Sequence, residues 1–164
     1  MRKDLPQKLT LELLKNSKRS DRELAKILKV SQPTITRTRH KLEKSGVIQE
    51  YTIIPDFRKL GFEIMALTFF KMNPEFFSPE FSEKARKGAE KVPDAILIST
   101  GEGMRMTGVI ISFHLNMTDY HRHLNMLRLD YKEVLEGVQS FVMPIGEAQF
   151  KKLSLKYLAS YKPL

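Results

Sequence analysis

Residues 20–48 read SDRELAKILKVSQPTITRTRHKLEKSGVI, and this stretch decides how the N-terminal part of the chain folds. Ser20 and Glu23 stand at the spacing of a capping box, in which a serine hydroxyl and a glutamate carboxylate each satisfy a backbone N–H that has no partner inside the helix. Leu24, Ile27 and Leu28 follow at the i, i+3, i+4 spacing of a buried stripe. Ser31 caps a second helix, Pro33 fits its first turn because the N–H groups there lack intrahelical acceptors, and Gly46 supplies the stop. Two short helices around one turn are how a chain offers a helix to the DNA major groove.

The faces of the second helix carry the argument further. With Pro33 at zero and about 100° per residue, Ile35, Thr38 and Leu42 gather on the far side as a core stripe. Thr36, Arg37, His40 and Lys44 fall within about 60° of zero, with Gln32, Lys41 and Arg39 on the flanks. All are hydrogen-bond donors, and Glu43 is the one acid of the helix. An ordinary solvated face mixes both signs. A donor face without acids suits a polyanion.

Charge is distributed to match. Residues 1–60 hold 15 Lys+Arg against 7 Asp+Glu, a net +8, whereas residues 61–164 hold 13 against 12, a net +1. Phosphate neutralisation needs basic groups gathered on one domain, because each contact releases condensed counterion. Membrane-surface binding would use the same charge but needs an apolar helix face to spare, and these stripes are required for the core.

At 164 residues, 41% hydrophobic and 29% charged, the chain is an ordinary globular protein. With no cysteine it has neither a disulfide framework nor a thiolate metal site. No apolar run approaches a membrane span, and MRKDLPQKLT lacks the apolar core of a signal peptide, so a cytoplasmic protein is expected. His121 and His123, two apart on a helix, point to different faces and make a poor metal pair even with His114. No nucleophile, base and orienting group stand at a telling spacing. The expectation is therefore no metal, no cofactor, no catalytic residue and no enzyme.

Leu5, Leu9 and Leu13, with Leu14 beside them, predict a leading helix that packs on the other two. After Gly46, VIQEYTIIP reads as a strand closed by Pro55, and DFRKLG as a hinge with room for a helical turn. A strand is predicted at Phe62–Met72, then a helix through Phe81, Ala85, Ala89 and Val92, then the short strand AILIST. Glycines at 101, 103 and 108 surround a turn into a strand at about Met106–Leu115. A helix capped by Thr118, with Tyr120, Leu124, Leu127 and Tyr131 inside, ends at Gly137 and returns as a strand over Val138–Phe150. The order βαββαβ predicts an α+β, ferredoxin-like second domain. The expected division is a helix-turn-helix domain at 1–54, a hinge at 55–61 and the ferredoxin-like domain at 62–164. One sheet face, carrying some of Phe62, Ile64, Leu67 and Phe69, is left for the tail FKKLSLKYLASYKPL or a second chain to cover, which predicts a homodimer.

The segment ELAKILKVSQPTITRTRHKLEKSGVI, followed by a strand, DFRKLGF and a ferredoxin-like pattern, resembles the Lrp/AsnC, or feast/famine, transcriptional regulators. The resemblance implies a winged helix-turn-helix domain that binds double-stranded DNA, a hinge strand near a dimer interface, and a second domain that assembles dimers, tetramers or octamers and takes an amino-acid effector. It places Gln32, Thr34, Thr36, Arg37 and His40 on DNA; Ser31, Pro33, Lys41 and Lys44 belong to the same expected surface, and the basic residues Lys18, Arg19, Lys41 and Lys44 are the expected phosphate contacts. The effector loop maps to Gly101, Glu102, Gly103 and Met104. Two residues depart from the family pattern: Lys29 stands where glycine is usual in the turn, and Met104 where a second acid is usual. The resulting expectation is a sequence-specific transcriptional regulator. The competing readings are an architectural DNA binder and a siroheme-decarboxylase-like enzyme on the same frame, for which MRMTGVIIS lacks the histidine or tyrosine needed.

Overall fold

A computed structural model describes residues 4–146 and 149–160. The chain divides into two compact units, one of Met1–Ile54 with Lys152–Leu164 and one of Pro55–Lys151. The tail, expected with the second domain, thus falls in the first unit: its described part forms a 3-10 stretch, Leu155–Ser160, that packs on the leading helix.

The first unit has three helices, α1 (Leu5–Lys15), α2 (Asp21–Leu28) and α3 (Gln32–Lys44). None is long enough to persist alone in water. They hold one another by burying Leu9, Leu13, Leu24, Ala25, Ile35 and Leu42, with Leu5, Leu28, Val30 and Ile48 around that cluster. The capping box forms at α2: Ser20 Oγ accepts the Glu23 N–H at 3.3 Å, and Glu23 Oε2 accepts the Ser20 N–H at 2.7 Å. Ile27, expected inside, is 45% exposed, because α2 turns Ala25 rather than Ile27 toward the cluster. Lys29 takes the left-handed conformation that a glycine would adopt more readily, φ 55°, at a cost of about 1 kcal/mol. The Val30 N–H still reaches the Ala25 carbonyl at 3.0 Å, so the turn is kept.

The strand expected after Gly46 does not form. Residues 49–56 have no regular secondary structure, since a strand requires a neighbouring backbone and among the described residues none pairs with this segment. Ile53 is 81% exposed.

In the second unit four strands, β1 (Ile64–Met72), β2 (Ala95–Gly103), β3 (Met106–His114) and β4 (Leu135–Pro144), form an antiparallel sheet in the order β2-β3-β1-β4. Helices α4 (Pro79–Ala89) and α5 (Met117–Asp130) complete the βαββαβ order, and the α+β, ferredoxin-like expectation holds. Phe57–Leu60, inside the expected hinge, is a 3-10 turn. Asn116, not Thr118, caps α5, accepting the Asp119 N–H at 2.9 Å. The helix ends at Asp130 rather than Gly137, which instead lies in β4 opposite Lys71.

Strand alternation gives the sheet two faces. Ala66, Phe70, Met72 and Ile110 pack under Tyr120, Leu124 and Leu127 of α5 and Phe81 of α4. Gly108 lies opposite Phe70, whose ring comes within 2.2 Å of where a β-carbon would be, so only glycine fits there. On the other face the register aligns Leu97, Ile111, Leu67 and Phe141 in one row across all four strands. Leu97 and Phe141, at its ends, are exposed.

At one end of β3, His114 is fully buried. Its Nε2 shares a 2.8 Å hydrogen bond with Ser112 Oγ, while Nδ1 lies 3.4 Å from Asp94 and 3.8 Å from Asp119. His123 Nδ1 sits 2.7 Å from the same Asp94 oxygen. Burial pushes the His114 pKa below its ordinary 6.5 despite the attraction of Asp94. Burial also acts to raise Asp94, but His123 outweighs it and the carboxyl lies below its ordinary value. An unfolded chain would protonate His114 near pH 6.5 while the folded chain resists, so His114's contribution to stability is present above that pH and is lost below it. Stability of this unit, followed by hydrogen exchange of β1 and β3 amides, is expected to fall as the pH drops below 6.5 and to do so much less in His114→Gln.

Candidate nucleic-acid interface

The aim of α3 is set from both ends and from beneath. Ser31 Oγ accepts the Thr34 N–H at 3.4 Å and shares a 2.8 Å hydrogen bond with the Thr34 hydroxyl. Gly46, at φ 73°, stops the helix, and the Val47 N–H closes on the Leu42 carbonyl at 3.0 Å. Ile35 and Leu42 are buried in the three-helix core. The opposite side is therefore left in solvent, where Gln32, Pro33, Thr36, Arg37 and His40 line an open concavity of about 640 Å³. Lys41 and Lys44 are exposed beside it, and Thr34 is half-buried.

Not every donor on this helix is free. The Thr36 hydroxyl donates to Asp21 Oδ2 at 2.6 Å, tying the middle of α3 to the start of α2. Arg39 Nε lies 2.9 Å from Asp21 Oδ1 as a charge contact rather than an aligned hydrogen bond. The Arg39 NH2 group donates to the Arg19 carbonyl at 3.3 Å, and its NH1 group donates to the Tyr51 hydroxyl at 3.4 Å. The Tyr51 hydroxyl in turn donates to Glu43 Oε1 at 2.8 Å. Burial, and then this bond to Glu43, push the Tyr51 phenol up from its ordinary value. Glu43 Oε2 is also 3.7 Å from His40 Nδ1. The lone acid of α3 is thus drawn into a network at the helix flank. Arg19 is held by Glu12 of α1 rather than left for a phosphate.

Sequence reasoning missed this network. Asp21 and Tyr51 are separated from Arg39 by 18 and 12 positions, and only the flank position of Arg39, beside the single acid, hinted at a structural duty. The glycine loop is a β-hairpin: Gly101, Glu102 and Gly103 end β2, Gly103 pairs with Met106, and Met104 and Arg105 make a two-residue turn at φ 51° and 59°. This backbone handedness matches the twist of the strands it joins. All four residues of the expected effector loop are exposed.

Crystal structures with this architecture are known. The PH0061 structure superposes with a TM-score of 0.74 at 24% identity, covering 92% of this chain and 95% of that one. Bacillus subtilis LrpC gives 0.70 at 20%, covering 90% and 96%. The chain has the fold of the Lrp/AsnC regulators. The Lrp/AsnC likeness extends to sequence: an uncharacterized HTH-type transcriptional regulator of Pyrococcus furiosus is 42% identical over 64 residues, which are 39% of this chain and 43% of that protein. LrpC itself is 39% identical over 56 residues, 34% of this chain and 39% of LrpC. The chain thus spans less than half the length of these curated relatives, and no family model matches it. Replacing Asp21 with asparagine in this Lrp/AsnC frame removes the charge that holds Arg39, and urea unfolding is expected to show the first unit destabilised by about 1–3 kcal/mol.

Proposed function

We propose that this protein is a sequence-specific double-stranded DNA-binding transcriptional regulator that acts as a homodimer. The observation that carries the reading is the face of α3: donors of Gln32, Arg37, His40, Lys41 and Lys44 stand in solvent while its single acid is engaged at the side. Placing the tail with the helices sharpens the charge argument. Residues 1–54 with 152–164 hold 16 Lys+Arg against 6 Asp+Glu, a net +10, and residues 55–151 hold 12 against 13, a net −1. Curated relatives bear the name of HTH-type transcriptional regulators, which supports the same reading.

In this mechanism Arg37 reads a base edge, guanine being the match for a bidentate guanidinium, while Lys41 and Lys44 neutralise phosphates and fix register. Two copies would set their α3 helices in half-sites about 34 Å apart or a multiple of it. The apolar row Leu97–Ile111–Leu67–Phe141 supports a dimer, because a sheet face of this kind is stable in water only when covered. Two solved regulators of similar fold, from Neisseria meningitidis and Mycobacterium tuberculosis, are complexes with methionine. An amino acid is therefore the effector class to test, at the hairpin Gly101–Met104. No helix among the described residues is long and apolar enough to cross a membrane, and a DNA partner agrees with the cytoplasm.

Selection of bound duplexes from a random pool tests the reading: a two-fold symmetric consensus supports it, and retention of all sequences alike replaces it with architectural binding. On the selected site, Arg37→Ala is expected to cost about 1–3 kcal/mol and to relax one position. Lys44→Ala should weaken every sequence equally and reduce the slope of log affinity against log salt by about 0.9. Sedimentation of Phe141→Asp is expected to show a shift from dimer toward monomer, since the substitution sets a charge in the apolar row.

A further inference from the structure

Glu43 sits at the rim of the donor face, on the side of Gln32 and Arg39, with Oε2 3.7 Å from His40 Nδ1 and within a Debye length of any phosphate that docks there. A carboxylate in that place opposes DNA unless something holds it aside. The group that does so comes from outside the helix. Tyr51 belongs to the segment 49–56 that leaves the three-helix unit without regular structure, and it is itself half exposed. Its hydroxyl donates to Glu43 and accepts from Arg39, and its ring lies 5.9 Å from the Arg39 guanidinium. Asp21 and the Arg19 carbonyl fix Arg39 in turn, so the phenol rests on a guanidinium that cannot follow it away.

We infer that Tyr51 is a positioning residue for the DNA-binding face: its phenol keeps the Glu43 carboxylate turned to the Arg39 side of α3, and the path of the segment carrying Tyr51 sets whether that acid competes with phosphate. The inference rests on the DNA-binding reading above. Drawing the segment away removes the hydrogen-bond donor from Oε1, and the carboxylate, whose Oε2 already lies 3.7 Å from His40 Nδ1, is left to close on His40, one of the donors of the face. Every sequence is then bound less well, because the loss is one of charge and not of base contact.

The test is a double-mutant cycle on the full-length protein with a selected duplex and an unrelated duplex. Tyr51→Phe keeps the ring and removes the hydroxyl. It is expected to weaken both duplexes about fivefold, the factor that two like unit charges roughly 4 Å apart in water amount to. Glu43→Gln alone should change affinity less than twofold, and in the Tyr51→Phe background it should restore binding. A phenol that only stabilises the fold would lower the unfolding midpoint, and removing the Glu43 charge would restore nothing; that result overturns the inference, as does unchanged binding by Tyr51→Phe. If the wild-type protein binds neither duplex at low salt, the DNA reading fails and takes this inference with it.

Discussion

Burial of Ile35 and Leu42 against Leu9, Leu13 and Leu24 is the interaction on which the rest depends. Each helix of the first unit is only 8 to 13 residues long, too short to persist alone, so orientation and existence are settled together by one small core. Once the far side of α3 is committed to that core, the near side has no choice but solvent. Its chemistry then follows from residue type: Arg37, Lys41 and Lys44 present donors to solvent, and Glu43, beside His40, is the one acid of the helix. The polar ties add aim rather than stability of the first order. Thr36 and Arg39 on Asp21 prevent α3 from rotating about its own axis in the core groove, a freedom that aliphatic contacts alone restrict poorly.

The second unit solves a different problem. Strand alternation puts Ala66, Phe70 and Ile110 beneath α5 and, by the same geometry, Leu67 and Ile111 on the other side. Two helices cover one face and leave the apolar row unspent. The described 3-10 stretch of the tail packs on α1, within the first unit. A near-neutral unit with one apolar face lacks the electrostatic attraction to a polyanion that the basic first unit has.

Most of this was legible before the structure. The capping box at Ser20 and the stop at Gly46 were each specified by local chemistry that acts within four residues, whereas the turn expected on glycine falls on Met104 and Arg105. What escaped were features set by long-range geometry. Ala25 and Ile27 flank the Leu24–Leu28 stripe of α2 on opposite sides, and periodicity could not say which flank the core would take. The segment after Gly46 has strand composition, but a strand is a relation between two backbones, and β-branched residues cannot supply the second. The end of α5 was misplaced because Gly137 is a plausible stop in isolation, whereas pairing with Lys71 claims it for β4. Site residues divide in the same way: the outer face of α3 follows from a helical wheel, while the web of Asp21, Arg39, Tyr51 and Glu43 joins positions whose meeting only the fold determines.

Connectivity makes that web consequential. The chain passes between its two units twice, after Ile54 and before Lys152, because the tail returns to the first unit. One connection begins beside Tyr51, whose hydroxyl donates to the lone acid of α3; the other ends in a 3-10 stretch seated on α1, which shares the core of Ile35. Both therefore end within the first unit, one beside the flank of α3 and the other on the helix that shares its core.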